Sequence, residues 1–158
     1  MTNARHRAAH GCLLALALSG SVFAASLDPA GGPDLVLWLD AQDIPGAPAD
    51  GEAIGAWSDR SEYRHDARQV VSARRPAFAR EVTDNGRHAV RFSASGGQFL
   101  AVTHSPELDC STLTAFVVAR ASPSGGDMWL FSTNDWGPPW TGYGIAVSGG
   151  GLRPWLHL

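Results

Sequence analysis

The residues best suited to bind a ligand lie towards the C-terminal end of the chain, in residues 134–143. Three aromatic side chains occur there with an amide and a carboxylate: Trp136, Trp140, Tyr143, Asn134 and Asp135. Sugar rings stack their C–H faces on tryptophan, while amide and carboxylate groups bind the hydroxyls. Pro138-Pro139 stiffens the segment. We therefore expect a carbohydrate-binding loop; the alternative is that Trp136 and Trp140 cover one end of the core.

A calcium site is the second kind of chemistry that this region could support. Asp127 follows Ser124-Gly125-Gly126, and Asp135 lies in the polar run at residues 132–135. Calcium prefers carboxylate and carbonyl oxygens, which loops of this composition supply. Asp127 and Asp135 are therefore the metal-ligand candidates. The alternative is that both are exposed loop carboxylates, which leaves the cofactor prediction as calcium or none.

Catalytic residues are not predicted anywhere in the chain. Glycoside hydrolysis needs paired carboxylates on one face of a strand, and no E-x-D-x-E-like cluster occurs. The closest acidic pairs lie in or beside turns: Asp40/Asp43, Asp50/Glu52, Asp59/Glu62 and Glu107/Asp109. Turn-stabilising roles explain such carboxylates. Ser61 and His65 lack the third member of a triad, so we expect that the protein is not an enzyme.

The N-terminus predicts export. Arg5 and Arg7 precede an apolar run at residues 11–18, and Val22-Phe23-Ala24 offers small residues for cleavage after Ala24. We therefore interpret residues 1–24 as a signal peptide, followed by a linker at 25–33, and expect a secreted (periplasmic or extracellular) protein. A transmembrane anchor is the alternative, but the apolar run is too short to span about 30 Å of hydrocarbon. No membrane insertion is expected after cleavage.

Removal of the leader makes the chain more acidic. The mature chain keeps all 15 acidic residues and 10 of the 12 basic ones, because Arg5 and Arg7 leave with the signal, for a net charge of −5. No basic patch remains to bind phosphate backbones, so nucleic acid is excluded as a partner. Cys110 is then the one remaining cysteine, and we expect it to act as a small buried hydrophobe.

The pattern of apolar segments predicts an all-β fold. Strand-like segments occur at residues 35–39, 53–58, 89–93, 99–103, 112–119, 128–132, 142–147 and 152–158. Turn sequences rich in glycine and proline separate them, and no capped amphipathic run indicates a helix. Residues 112–119 are apolar on both faces, which predicts a strand in the middle of a sandwich. Trp38 and Trp57 lie in or at strands and are expected in the core.

Five short motifs, in order, carry a resemblance to a known family. Residues 34–44 read DLVLWLDAQDI, and residues 54–61 read IGAWSDRS; HDA at 65–67, RP at 75–76 and NGRHAVRF at 85–92 follow. This order resembles the N-terminal part of the laminin-G-like, concanavalin-A-like lectin/glucanase domains of secreted bacterial proteins. The resemblance implies an antiparallel jelly-roll β-sandwich over residues 34–158, incomplete at the C-terminus. It departs at Glu62-Tyr63-Arg64, where relatives usually have a turn rich in Gly and Asn.

These features together predict a secreted, non-catalytic recognition or adhesion module. Its expected partner is a glycan or a cell-surface polysaccharide, with further domains of a longer chain as a second kind of partner. One alternative is a structural accessory domain of a larger secreted enzyme or surface protein. Another is a fragment of a glycoside hydrolase whose carboxylates lie elsewhere.

Overall fold

The computed structural model describes residues 34–121, 128–133, 142–148 and 151–157, together with the backbone of residues 12–14. The chain forms two compact units, Met1–Phe116 and Val117–Leu158. Several residues of the predicted site lie outside the described residues: Asp127, Asn134, Asp135, Trp136 and Trp140.

The described residues of the first unit contain eight short strands. They are β1 (Cys12–Leu14), β2 (Leu35–Leu37), β3 (Ala56–Trp57), β4 (Ala67–Arg68), β5 (Ala77–Ala79), β6 (Ala89–Arg91), β7 (Ala101–Val102) and β8 (Leu113–Ala115). Three sheets result: β2-β1-β8, which is parallel, and the antiparallel sheets β3-β4-β7 and β5-β6. Short 3-10 turns lie at Ala41–Asp43, Ser72–Arg74 and Pro106–Leu108.

The second unit contains one antiparallel sheet, in the order β11-β10-β9. Its strands are β9 (Met128–Ser132), β10 (Gly142–Ser148) and β11 (Gly151–His157). These three segments were predicted as strands from their apolar and aromatic composition, and all three are confirmed to within one residue at each end.

Apolar side chains of the first unit form two buried clusters. The larger contains Ile44, Ile54, Trp57, Ala67 and Phe78, and the smaller contains Leu35 and Trp38. The sequence prediction that Trp38 and Trp57 are core residues is confirmed, since 5% and 9% of their surfaces are exposed. Burial of this apolar area is the main favourable term for folding of the unit.

The all-β class is confirmed for the described part of the chain, which contains strands and 3-10 turns and no α-helix. In the same residues, no helix has the length and apolar character needed to cross a membrane. One sequence prediction is wrong in detail. The strand expected at residues 112–119 is limited to Leu113–Ala115, and Phe116 and Val118 are about half exposed. Cys110 is half-buried and disulfide-bonded in the full-length chain; its predicted role as a small buried hydrophobe concerns the mature chain and stays a prediction.

Candidate functional site

The β9–β10 hairpin carries the predicted ligand-binding loop. The last described residue before the loop is Thr133 and the first after it is Gly142. Two hydrogen bonds close its base: Thr133 N–H donates to the Tyr143 carbonyl at 2.9 Å, and Tyr143 N–H donates to Thr133 Oγ1 at 3.0 Å. The residues that flank the segment, Thr133 and Tyr143, are therefore held together.

Tyr143 is the one predicted ligand-binding residue that the structure describes. It lies in β10 with 8% of its surface exposed, and its ring meets that of Phe131 edge-on, with centroids 6.2 Å apart. Edge-to-face aromatic pairs of this kind stabilise packing. Tyr143 therefore supports the loop from within the sheet. The other four predicted residues lie outside the described part of the chain.

A β-bulge sets which aromatic side chains share a face of this sheet. Phe131 pairs with Ile145 and Trp129 with Ala146, so the register shifts between these two pairs and Leu130 has no counterpart on β10. Trp129 therefore lies on the face of Gly144 and Ala146, opposite to the face of Phe131. Its ring covers Gly144 so closely that a Cβ there would stand 2.9 Å from Trp129 Cζ3.

The metal-ligand candidates flank opposite ends of β9. Asp127 directly precedes Met128, the first residue of the strand, while Asp135 follows its last residue, Ser132. Met128 and Ser132 are about 13 Å apart along an extended strand. One ion could bind both carboxylates only if the residues beyond the strand brought the two side chains together across about that distance. Among the described residues, no group of three or more His, Cys, Asp or Glu side chains could hold a metal ion.

A second polar cluster, which we call the Asp59 turn, occupies residues 59–66. The Asp59 side chain is fully buried, with 0% exposed. Its Oδ1 accepts the backbone N–H of Trp38 at 2.7 Å and of Ser61 at 2.9 Å. Its Oδ2 accepts the backbone N–H of His65 at 2.8 Å and lies 2.5 Å from Ser61 Oγ. The carboxylate therefore joins Trp38, in the LWLDA segment, to the turn that follows β3.

Neighbouring groups complete the Asp59 turn. Arg60 N–H donates to the Trp38 carbonyl at 2.9 Å, and the Arg60 guanidinium lies over the Trp38 ring, 4.0 Å from its centroid. Asp66 Oδ1 accepts the backbone N–H of Asp59 at 3.0 Å. The W-x-D-x-S and HDA motifs thus meet in one hydrogen-bonded unit. The sequence pattern predicts only a turn role for Asp59; the signal for its wider role is Ser61, two residues later, whose hydroxyl bonds to its carboxylate.

Ser61 and His65 do not form a nucleophile–base pair. The Ser61 hydroxyl lies against Asp59 Oδ2 and 3.2 Å from the Val36 carbonyl. His65 contacts Asp59 through its backbone, and its ring stacks on Tyr63 with centroids 5.6 Å apart. The geometry agrees with the sequence interpretation that this serine and histidine are not two members of a triad.

The other acidic residues singled out from the sequence stabilise turns. Asp40 Oδ1 accepts the N–H of Gln42, Asp50 Oδ1 accepts the N–H of Arg80, and Glu52 accepts the N–H of Ala49. The contacts of Asp40 and Glu52 are local and confirm the expected turn roles, whereas Asp50 joins its turn to the backbone that follows β5.

A surface cluster forms around Glu107. Ser105 Oγ donates to Glu107 Oε2, and this bond is the main reason that the pKa of Glu107 lies below its ordinary value. His65 Nε2 lies 4.0 Å from the same carboxylate and has no hydrogen-bond partner among the described residues. His104 Nε2 pairs with Asp109 Oδ1 at 3.1 Å in an exposed position. Loop-stabilising ion pairs account for this arrangement.

In comparisons with known proteins, no family model, no curated protein and no solved structure matches this chain.

Proposed function

We propose that this protein is a secreted, non-catalytic recognition module that binds carbohydrate through the loop between β9 and β10. The supporting observation is the closed base of that loop, where Thr133 and Tyr143 exchange hydrogen bonds. An aromatic- and amide-bearing loop held at both ends loses less conformational entropy on binding than a free one. Trp136 and Trp140 would stack on the sugar, and Asn134 and Asp135 would bind its hydroxyls.

The expected affinity is weak. Stacking on one exposed tryptophan is worth about 1–2 kcal/mol, which together with a few hydrogen bonds places Kd on the order of 0.1–1 mM for a single module. Such modules gain useful affinity by multivalency on a polysaccharide or cell surface. We therefore take a repeating glycan, rather than a free monosaccharide, as the ligand class.

We infer a jelly-roll β-sandwich as the complete architecture. Support comes from the order of the five sequence motifs and from the Asp59 turn, which joins the first of them to the second and third. The segments at residues 34–44, 54–61 and 65–67 meet through Trp38, Asp59 and Asp66. Motifs that depend on one another in this way are expected to occur together in one fold.

The test is a glycan array probed with the secreted protein and with a Trp136→Ala/Trp140→Ala variant. Phe116→Ala is the matched control, because Phe116 is an aromatic side chain about half exposed outside the loop. We expect the double variant to lose binding at least tenfold and the control to bind as the unchanged protein does. Equal binding by all three would place the site elsewhere. Release of reducing sugar by the unchanged protein would contradict the non-catalytic assignment.

Calcium and export are tested with the same sample. Binding is repeated in EDTA and in added calcium, with Asp127→Asn and Asp135→Asn measured separately because the two residues flank opposite ends of β9. A calcium site at one carboxylate predicts that only one variant loses the calcium response. N-terminal sequencing should find Ala25; an intact Met1 on the exported protein would contradict signal cleavage.

A structural accessory role is the second candidate, and two adjacent exposed apolar side chains favour it. Val70 is 86% exposed and Val71 is 48% exposed. Contiguous exposed apolar surface is often covered by a neighbouring domain. If the protein packs against such a domain and binds no glycan, Val70→Asp should weaken that association while the Trp136→Ala/Trp140→Ala variant should not.

A further inference from the structure

The β5–β6 hairpin carries an Asn-Gly pair at its tip. Asn85 and Gly86 lie in the turn that connects Ala77–Ala79 with Ala89–Arg91, and both residues are exposed. They open the NGRHAVRF motif, which the proposed sugar site does not use. Asparagine followed by glycine is the pair that deamidates most readily in polypeptides, because glycine has no Cβ to hinder attack by its own backbone nitrogen.

The backbone of the turn leaves space around the glycine. Gly86 adopts φ +72°, and a Cβ built on it would have no atom within 4 Å other than those of its chain neighbours. One hydrogen bond opposes the attack, because Gly86 N–H donates to the Thr83 carbonyl at 2.9 Å and this bond must open first. At an exposed loop tip such bonds open at a low cost in free energy.

The Thr83 hydroxyl polarises the group that is attacked. It donates to Asn85 Oδ1 at 2.5 Å, and it accepts the backbone N–H of Arg87 at 2.8 Å. When a nitrogen attacks Cγ of the amide, negative charge develops on Oδ1. A donor already aimed at that oxygen stabilises the charge. The turn therefore contains a group that promotes deamidation as well as the Gly86 hydrogen bond that slows it.

We propose that Asn85 is a spontaneous modification site, converted in the folded protein to a mixture of isoaspartate and aspartate. The Gly86 nitrogen loses its proton to solvent and bonds to Cγ. The Cγ–Nδ2 bond breaks, and the amide nitrogen takes up a proton and leaves as ammonia. Water then opens the cyclic imide. Cleavage at Cγ gives aspartate, and cleavage at the backbone carbonyl carbon of Asn85 gives isoaspartate. The inference is independent of the proposed export and sugar binding.

The modification changes both the charge and the geometry of the hairpin. Either product places a new carboxylate next to Asp84 in the sequence. In isoaspartate the main chain runs through the former side chain and gains a methylene group. This lengthening should disrupt the two bonds that close the turn, from Gly86 N–H to the Thr83 carbonyl and from Val82 N–H to the Arg87 carbonyl.

The test follows one tryptic peptide by mass spectrometry. Trypsin cleaves after Arg80 and Arg87, so the peptide at residues 81–87 contains Asn85 as its one amide side chain. The protein is incubated at neutral and at mildly alkaline pH, and a sample taken at the start corrects for conversion during digestion. We expect the amide to be replaced by a carboxyl group, faster at the higher pH because the attacking nitrogen must lose its proton. Labelling by an isoaspartyl methyltransferase should identify isoaspartate as the main product.

Three variants separate the chemistry of the pair from the effect of the turn. Asn85→Gln should stay unmodified, because the longer side chain closes a larger ring far more slowly. Thr83→Val lacks the hydroxyl that donates to Oδ1, whereas Thr83→Ser keeps it. In the folded protein the valine variant should react at least threefold more slowly than the serine variant. In concentrated urea the two should react equally, since unfolding removes the contact.

Three results would overturn the proposal or a part of it. An unmodified Asn85 in the folded protein, with reaction in urea, would show that the Gly86 hydrogen bond blocks the attack. Equal rates for the folded Thr83→Val and Thr83→Ser proteins would remove the role of the hydroxyl. Amide exchange at Val82 should be faster in the modified protein than in Asn85→Gln, and unchanged exchange would contradict the opening of the turn. None of these measurements uses a glycan, so failure of the proposed sugar binding would leave them unaffected.

Discussion

Replacement of Asp59 tests whether one buried carboxylate holds the first unit together. Asp59→Asn keeps the shape and the oxygen that accepts from Trp38 and Ser61. It places an amide group where Oδ2 now accepts the backbone N–H of His65. The new amide N–H groups then face the backbone N–H of His65, which is also a donor. The Ser61 hydroxyl can turn to the Val36 carbonyl, 3.2 Å away, so its bond is recovered.

The expected cost follows from these contacts. A hydrogen bond to a charged group is worth about 1.5–3 kcal/mol, so loss of the His65 bond should lower the free energy of unfolding by about 2–3 kcal/mol in Asp59→Asn. Asp59→Ala leaves three backbone N–H groups without their acceptor, at about 1–2 kcal/mol each, or about 3–6 kcal/mol in total. That is comparable with the whole stability of a small domain, about 5–15 kcal/mol.

Urea unfolding followed by tryptophan fluorescence is the assay, because Trp38 lies beside the mutated residue. Asp43→Asn is the control: Asp43 pairs with Arg60 at 2.8 Å, but its side chain is 45% exposed. An exposed ion pair of this kind should change stability by less than about 1 kcal/mol. The free energy of unfolding should be highest for Asp43→Asn, lower for Asp59→Asn and lowest for Asp59→Ala. An Asp59→Asn protein as stable as the control would refute the reasoning.

Three further predictions concern the turn, the hairpin and the Glu107 cluster. Arg64 adopts φ +56°, so Arg64→Asn should raise the free energy of unfolding by about 0.5–1 kcal/mol in urea titrations, because Asn tolerates that conformation. Gly144→Ala should lower it by about 1–3 kcal/mol and alter tryptophan fluorescence, since the new Cβ would stand 2.7 Å from the Phe131 carbonyl oxygen and 2.9 Å from Trp129 Cζ3. Ser105→Ala should raise the pKa of Glu107, seen in an NMR titration of the carboxyl group. Because that pKa is depressed in the folded protein, the stabilisation exists at higher pH and disappears as pH falls through the folded pKa; the variant should therefore lose less stability in acid.

Sequence patterns located the second unit well because its strands are long and continuous. Residues 128–132 and 142–147 read as strands from their apolar and aromatic content, and the structure places β9 and β10 there. β10 and β11 are each seven residues long and pair along their whole length. Continuous pairing of this kind leaves a clear signal in one sequence.

The first unit was harder to predict because its strands are only two or three residues long. β4 and β5 consist of Ala67–Arg68 and Ala77–Ala79, which carry no apolar alternation and were not foreseen. Packing against neighbouring residues, and not the composition of these segments, determines that they form strands. Ala67, for example, is buried in the same cluster as Trp57 and Phe78. In residues 112–119 the opposite error arose, since apolar composition predicted a longer central strand than the one that forms.

The departure at Glu62-Tyr63-Arg64 shows how far turn chemistry can be inferred. The sequence lacks the Gly or Asn that such turns usually contain, and Arg64 adopts the left-handed conformation regardless. The turn is held by other contacts, because Tyr63 N–H donates to Ser61 Oγ at 3.3 Å and His65 N–H to Asp59 at 2.8 Å. Hydrogen bonds to a buried carboxylate therefore compensate for an unfavourable backbone angle.

The role of Asp59 also determines where function should be sought. A carboxylate between a tryptophan and a serine could have been a catalytic acid or a metal ligand on residue type alone. Here its oxygens are occupied by three backbone N–H groups and a hydroxyl, and its side chain has no exposed surface. A group so engaged cannot reach a substrate without breaking the fold. The W-x-D-x-S motif is accordingly evidence about architecture, and the proposed sugar binding is to be tested in the segment between β9 and β10, whose sequence carries the tryptophans, the amide and the carboxylate that suit such a ligand.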